Sequence, residues 1–194
     1  MRRAVPLLAA VLLLAGCSES TTGSPTPGSP TSATTGSSGK PTSTSKEPAK
    51  RPKTINLKDV DPCTLLTDAQ RKELGLDRPP TKGTSTVFQS PSCDHNREDR
   101  TWGATVITAT TAGIEFFTDG SFDVETQQLQ VAGYPAVLGS TPEQKSSCYL
   151  GVDVSDGQVL ALQTTSIDES VPQGRLCELV QQIAGAAVAT LSAR

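Results

Sequence analysis

The sequence predicts an α+β domain: an antiparallel sheet with helices packed mainly on one face, braced by two disulfides. Three observations carry that prediction. Segments between residues 104 and 164 alternate in the β manner, the C-terminus has a helical apolar stripe, and four cysteines follow residue 53.

The first helical element is expected at Asp61-Pro62-Cys63-Thr64-Leu65-Leu66, with Asp61 as cap and Pro62 at the tolerated first position. Thr67-Asp68-Ala69-Gln70 follows as a capping box, in which the Thr67 hydroxyl and the Gln70 amide play reciprocal roles. The helix should run to Leu74 and stop at Gly75. Its apolar positions are sparse, so it should lie on a surface with one buried edge.

From Thr84 onward the pattern becomes β. Thr105, Ile107 and Ala109 alternate with Ala104, Val106 and Thr108, and Leu129 and Val131 alternate with glutamines before a break at Gly133-Tyr134-Pro135. A hairpin is expected from Cys148–Val154 and Gln158–Thr164 through Asp156-Gly157. Ile114-Glu115-Phe116-Phe117 reads as a short helix. The clearest helix is the last: Leu176, Val180, Ile183, Ala187 and Leu191 recur at spacings of three and four, widened by Leu179, Ala184 and Val188.

Composition divides the chain. Residues 18–53 hold 27 Ser, Thr, Gly or Pro out of 36, and all seven aromatic residues lie between Phe88 and Tyr149. The first stretch has nothing to bury and is expected to be a disordered tether spanning roughly 33 Å on average. Residues 54–194 are expected to form one globular domain. A polytopic membrane protein, a collagen-like chain and a coiled coil are excluded. The domain carries ten Lys/Arg against eighteen Asp/Glu, a balance of −8, so no nucleic-acid partner is expected. The basic cluster Lys50-Arg51-Pro52-Lys53 reads as a solvated linker end.

Met1-Arg2-Arg3 and the apolar run Ala4–Ala15 form a secretory leader, residues 1–16, too short to span a bilayer that needs about 20 residues. It ends in Leu14-Ala15-Gly16-Cys17, which resembles the lipobox of bacterial lipoproteins. The resemblance implies cleavage before Cys17 and a diacylglycerol thioether on its sulfur. The expected location is the extracytoplasmic face of the cell membrane, with the membrane itself as partner through the N-terminal lipid.

In that compartment Cys63, Cys93, Cys148 and Cys177 read as two disulfides. Four cysteines permit three pairings. The sequential one, Cys63–Cys93 with Cys148–Cys177, is favoured because each bridge would join a helix to a strand within its own half of the domain. Zinc is disfavoured, since no close C-x₂-C pair occurs.

These residues resemble one family, the actinobacterial lipoproteins known as domain of unknown function 3558. The matching features are the lipobox and tether, the Asp61-Pro62-Cys63-Thr64-Leu65-Leu66-Thr67 start and the second cysteine near Trp102. Gly133-Tyr134-Pro135-Ala136-Val137, the Cys148 strand with its Asp-Gly hairpin and a cysteine opening the last helix complete them. Family members often place an Arg-Trp pair after the second cysteine; this chain has Asp94-His95, with Trp102 nine residues after Cys93. The resemblance implies a secreted, lipid-anchored α+β domain and brings no activity. It is also distantly similar to extracytoplasmic sensor domains with paired disulfides, an analogy of fold alone.

Catalytic chemistry has little to work with. The single histidine, His95, lies in Cys93-Asp94-His95-Asn96-Arg97-Glu98-Asp99, which reads as a charged surface turn between strands rather than a metal site of Asp94, His95, Glu98 and Asp99. No nucleophile elbow G-x-S-x-G and no phosphate loop occurs. No catalytic or metal residue and no cofactor is assigned. Trp102, Tyr134 and Phe116 are the candidate ligand-binding residues, because pockets favour aromatics. The expected function is a non-catalytic binding or interaction module for an unknown envelope ligand or protein. The alternatives are an envelope hydrolase using carboxylates or a metal near residues 94–99, and a structural accessory to envelope assembly.

Overall fold

Strand-forming sequence fills most of residues 81–166, and this segment folds accordingly into seven strands. The structure, a computed structural model, describes residues 50–194; the leader, Cys17 and the Ser/Thr/Pro stretch to residue 49 lie outside the described residues. The strands are β1 (Thr81–Ser85), β2 (Ser90–Asn96), β3 (Trp102–Ala109), β4 (Glu125–Val131), β5 (Tyr134–Thr141), β6 (Gln144–Ser155) and β7 (Gln158–Ser166). They form one sheet in the order β1-β2-β3-β7-β6-β5-β4, with every neighbouring pair antiparallel.

Two meanders make up that order, β1 to β3 and β4 to β7, joined where β3 pairs with β7 from Trp102 against Ser166 to Ala109 against Val159. The connection from β3 to β4 must therefore pass over β7, β6 and β5. At about 4.8 Å per strand the traverse is roughly 19 Å. Residues 110–124 make it, and they carry the 3₁₀ turn Ile114–Phe117 where the sequence predicts a short helix.

The described residues contain two α-helices, α1 (Asp68–Glu73) and α2 (Gln173–Ser192). All eight residues of the predicted α2 stripe, from Leu176 to Leu191, are buried. They meet Ala104, Val106, Leu150, Val152, Leu160 and Leu162 from the strands, together with Ile55, Leu57, Leu65 and Leu66 from the N-terminal segment. The expected helix over residues 61–74 divides into a 3₁₀ turn, Pro62–Thr64, capped by Asp61, and α1, whose Thr67–Gln70 capping box is formed. No residue of α1 is buried, in keeping with its sparse apolar pattern. The sheet thus outweighs the helices, and the α-helices cover one face only, while the opposite face carries the residue 110–124 crossover.

Two strands differ from expectation. β1 begins at Thr81 rather than Thr84, and β5 begins where a break is expected. Ala132 (φ 49°) and Gly133 (φ 84°) both occupy the left-handed region, making a two-residue hairpin that pairs Val131 with Tyr134. Pro135 is tolerated because its missing N–H falls just before the first pair with β6, Ala136 against Val152.

Both disulfides take the sequential pairing. Cys63–Cys93 (Cα–Cα 5.0 Å) ties the first 3₁₀ turn to β2, and Cys148–Cys177 (5.1 Å) ties β6 to α2. The basic cluster stays largely exposed, as expected of a linker end, but two of its side chains contact the domain. Arg51 pairs with Asp153 (3.0 Å) and with Asp156, and Lys53 donates to the Ser192 carbonyl (2.8 Å). The Ile55 amide then joins the Val154 carbonyl at 2.9 Å. Among the described residues no helix is long and apolar enough to cross a membrane.

Candidate functional site

Strand alternation turns Ser92 and Asp94 of β2, Thr105 and Ile107 of β3, Tyr149 and Gly151 of β6, and Ala161 and Gln163 of β7 to the face opposite α2. The crossover lays Phe116, Phe117 and Phe122 over this face, and the β1–β2 loop adds Phe88. The rings form one cluster. Phe88 and Phe116 have centroids 4.8 Å apart, Phe116 and Phe122 5.9 Å, and Phe122 meets Tyr149 edge-on at 4.8 Å.

Local contacts fix the cover in place. The Thr111 hydroxyl donates to the Phe88 carbonyl at 2.7 Å, joining the start of the crossover to the β1–β2 loop. Glu115 accepts from the Gly113 amide at 3.0 Å, and its carbonyl takes the Thr118 amide at 2.8 Å, which closes the 3₁₀ turn. Phe117 docks on β6 at Gly151, where a Cβ would lie 2.5 Å from its ring.

Between this cover and the sheet lies a cavity of about 370 Å³. Phe88, Phe116, Phe117, Phe122 and Tyr149 form its apolar wall, and Val87, 58% exposed, stands on the same loop at its mouth. Ser92, Asp94, Thr105 and Gln163 give it a polar side on the sheet, and Thr84, Ser85 and Thr86 add hydroxyls from β1 and the loop after it. The Thr105 hydroxyl donates to Asp94 at 2.7 Å, and Gln163 donates to Thr165 at 3.1 Å.

The three aromatic residues predicted as ligand-binding do not come together. Phe116 lines the cavity, whereas Trp102 (6% exposed) and Tyr134 (2%) belong to the core beneath α2. Sequence reasoning missed Phe88, Phe117, Phe122 and Tyr149. The available signal was the concentration of scarce aromatics, since all four phenylalanines and one of two tyrosines gather here.

The 94–99 cluster is also dispersed, and the expectation of a surface turn fails for its first three residues. Asp94, His95 and Asn96 lie inside β2, so alternation sends neighbouring side chains to opposite faces. Asp94 faces the cavity. His95 points the other way, opposite Ala104, with 0% exposure and no hydrogen-bond partner for either ring nitrogen. Burial, and secondarily the Arg71 charge, pushes its pKa down to about 4. The turn begins only at Arg97, which pairs with Asp99 at 2.7 Å. That hydrogen bond, with two more from Thr101, holds the Asp99 carboxyl well below the usual range. Among the described residues no group of three His, Cys, Asp or Glu is arranged to hold a metal ion.

Residues 12–190 match the profile of a family described as Protein of unknown function (DUF3558). The chain belongs to this family. No curated protein and no solved structure matches it.

In this DUF3558 chain the cavity joins an aromatic wall to a short polar strip bearing a single carboxylate. Such a site can bury an apolar body and orient it through one polar end. His95 lies across the sheet from the cavity, so no imidazole is among its lining groups.

Proposed function

We propose that this DUF3558 protein is an envelope lipoprotein, held by a lipid on Cys17 at the extracytoplasmic face of the cell membrane, whose domain is a non-catalytic binding module. The observation that carries the binding role is the aromatic-walled cavity on the face that α2 leaves uncovered. The Leu14-Ala15-Gly16-Cys17 motif and the disulfide-braced domain support the location. The family match begins at residue 12, so Cys17 lies within the shared region.

On this reading the tether holds the domain off the bilayer and the cavity takes a small molecule with an apolar body. Two measurements test it. Mass spectrometry of the protein from native membranes should find the N-terminus at Cys17 with a diacylglyceryl group, and Cys17→Ala should release the chain from the membrane. Recovery of an unmodified Met1 terminus overturns the anchor. An apolar fluorescent dye should bind the protein, with affinity about tenfold weaker in Phe116→Ala. Equal binding by both overturns the role of the cavity.

A further inference from the structure

We infer that the ligand of this cavity carries a positive charge on its apolar body, with Asp94 as the counter-ion. The inference rests on the cavity's being a binding site and names the class of ligand it takes.

Asp94 is the one charged side chain among the described residues that line the cavity. It is half-buried, and its hydrogen-bond donor is the Thr105 hydroxyl at 2.7 Å. An ionised carboxylate has about four lone-pair sites, so one hydroxyl leaves most of its capacity unused. Some carboxylates of the domain are neutralised by cations, as Asp61 is by Lys82, Asp99 by Arg97, Asp153 by Arg51 and Glu178 by Arg175. Among the described residues no Lys or Arg is paired with Asp94.

The aromatic part of the lining has the complementary chemistry. Ring faces of Phe116, Phe122 and Tyr149 are electron-rich and attract a cation placed over them, while their area buries the apolar part. The domain's net charge of −8 adds a field that draws cations in. An anionic ligand such as a fatty acid or a phosphate would meet Asp94 with no Lys, Arg or His lining the cavity to offset it. A primary or quaternary amine on an aryl or alkyl body fits all of these features.

Photoaffinity labelling of the full chain in native membranes tests this with three probes of one shape. They are 4-(trifluoromethyl-diazirinyl)benzylamine, the corresponding benzyl alcohol and the corresponding benzoate, with labelled peptides mapped after digestion. The amine should half-saturate labelling around Phe116–Phe122 and Tyr149 at about tenfold lower concentration than the alcohol, and the benzoate should label least. Asp94→Asn should bring the amine to the alcohol's level measured in the same variant, and Asp94→Glu should keep the preference. Equal labelling by amine and alcohol in the native chain, or a preference that survives Asp94→Asn, overturns the charge assignment and leaves the apolar cavity standing. Failure of all three probes to label these peptides overturns the cavity as a binding site, and this inference with it.

Discussion

The Phe117 ring rests directly on Gly151, where any Cβ would stand 2.5 Å from it. A residue of the crossover is thereby seated on β6, the longest strand of the sheet, and the seat exists only because β6 carries no side chain there. Gly151→Ala should displace Phe117 and cost about 1–3 kcal/mol. Urea unfolding measures the loss, and ring-proton shifts of Phe122 and Tyr149 should move while those of Trp102, beneath α2, stay fixed.

His95 makes stability depend on pH. In the unfolded chain it titrates near 6.5, whereas in the folded protein its pKa is pushed down to about 4. Below pH 6.5 the unfolded state therefore takes up a proton that the folded state refuses, and stability falls until about pH 4. The full loss is roughly 3 kcal/mol. The lowered carboxyls of Asp61, Asp99, Asp119 and Asp168 act below their unfolded value near 3.8, outside this window. Burial raises the Asp153 carboxyl, which opposes the His95 effect at the window's acid end. His95→Leu should flatten the profile between pH 6.5 and 4. It should also raise stability at pH 7 by about 1–3 kcal/mol, because two buried nitrogens without partners are removed. Denaturation midpoints across that range check both effects.

Ala132 occupies the left-handed region at φ 49° in the β4–β5 hairpin, a conformation costly for alanine. Ala132→Asn should raise stability by about 0.5–1 kcal/mol, read as a higher melting temperature with an unchanged far-ultraviolet spectrum.

Each disulfide closes a loop of about 30 residues, with sequence separations of 30 and 29. Replacing Cys148 and Cys177 together by alanine should cost about 3–4 kcal/mol in urea unfolding. Non-reducing peptide maps of the native protein should show Cys63 with Cys93 and Cys148 with Cys177.

Removing residues 20–49 should leave the thermal midpoint within about 2 °C, because the composition of that stretch offers nothing to a core. Extending the deletion through Lys53 should lower it further, since Arg51 holds Asp153 and Lys53 holds the Ser192 carbonyl. Calorimetry of the two deletions measures the difference.

What the sequence revealed was local. The α2 stripe, the Thr67–Gln70 capping box, the turn at Asp156-Gly157 and the helix-to-strand logic of the disulfides all depend on neighbours a few residues away or on shared chemistry. The rest depended on partners far along the chain. Pairing of β3 with β7 decides that residues 110–124 must cross the sheet, and that crossing gathers Phe88, Phe116, Phe122 and Tyr149. His95 misled because polar neighbours suggested a loop, whereas a strand alternates faces regardless of polarity. β5 was hidden by Gly133, which sits in the tight turn before it, and by Pro135, a residue that punctuates turns but here is the second of a strand.

Both cystine bridges fasten elements on the α2 side of the sheet, and none reaches the aromatic cover. The molecule's compliance is therefore lopsided. One flank is covalently clamped, while the other is held by stacked rings and a few hydrogen bonds, so reduction of the two bridges would strain the clamped flank first.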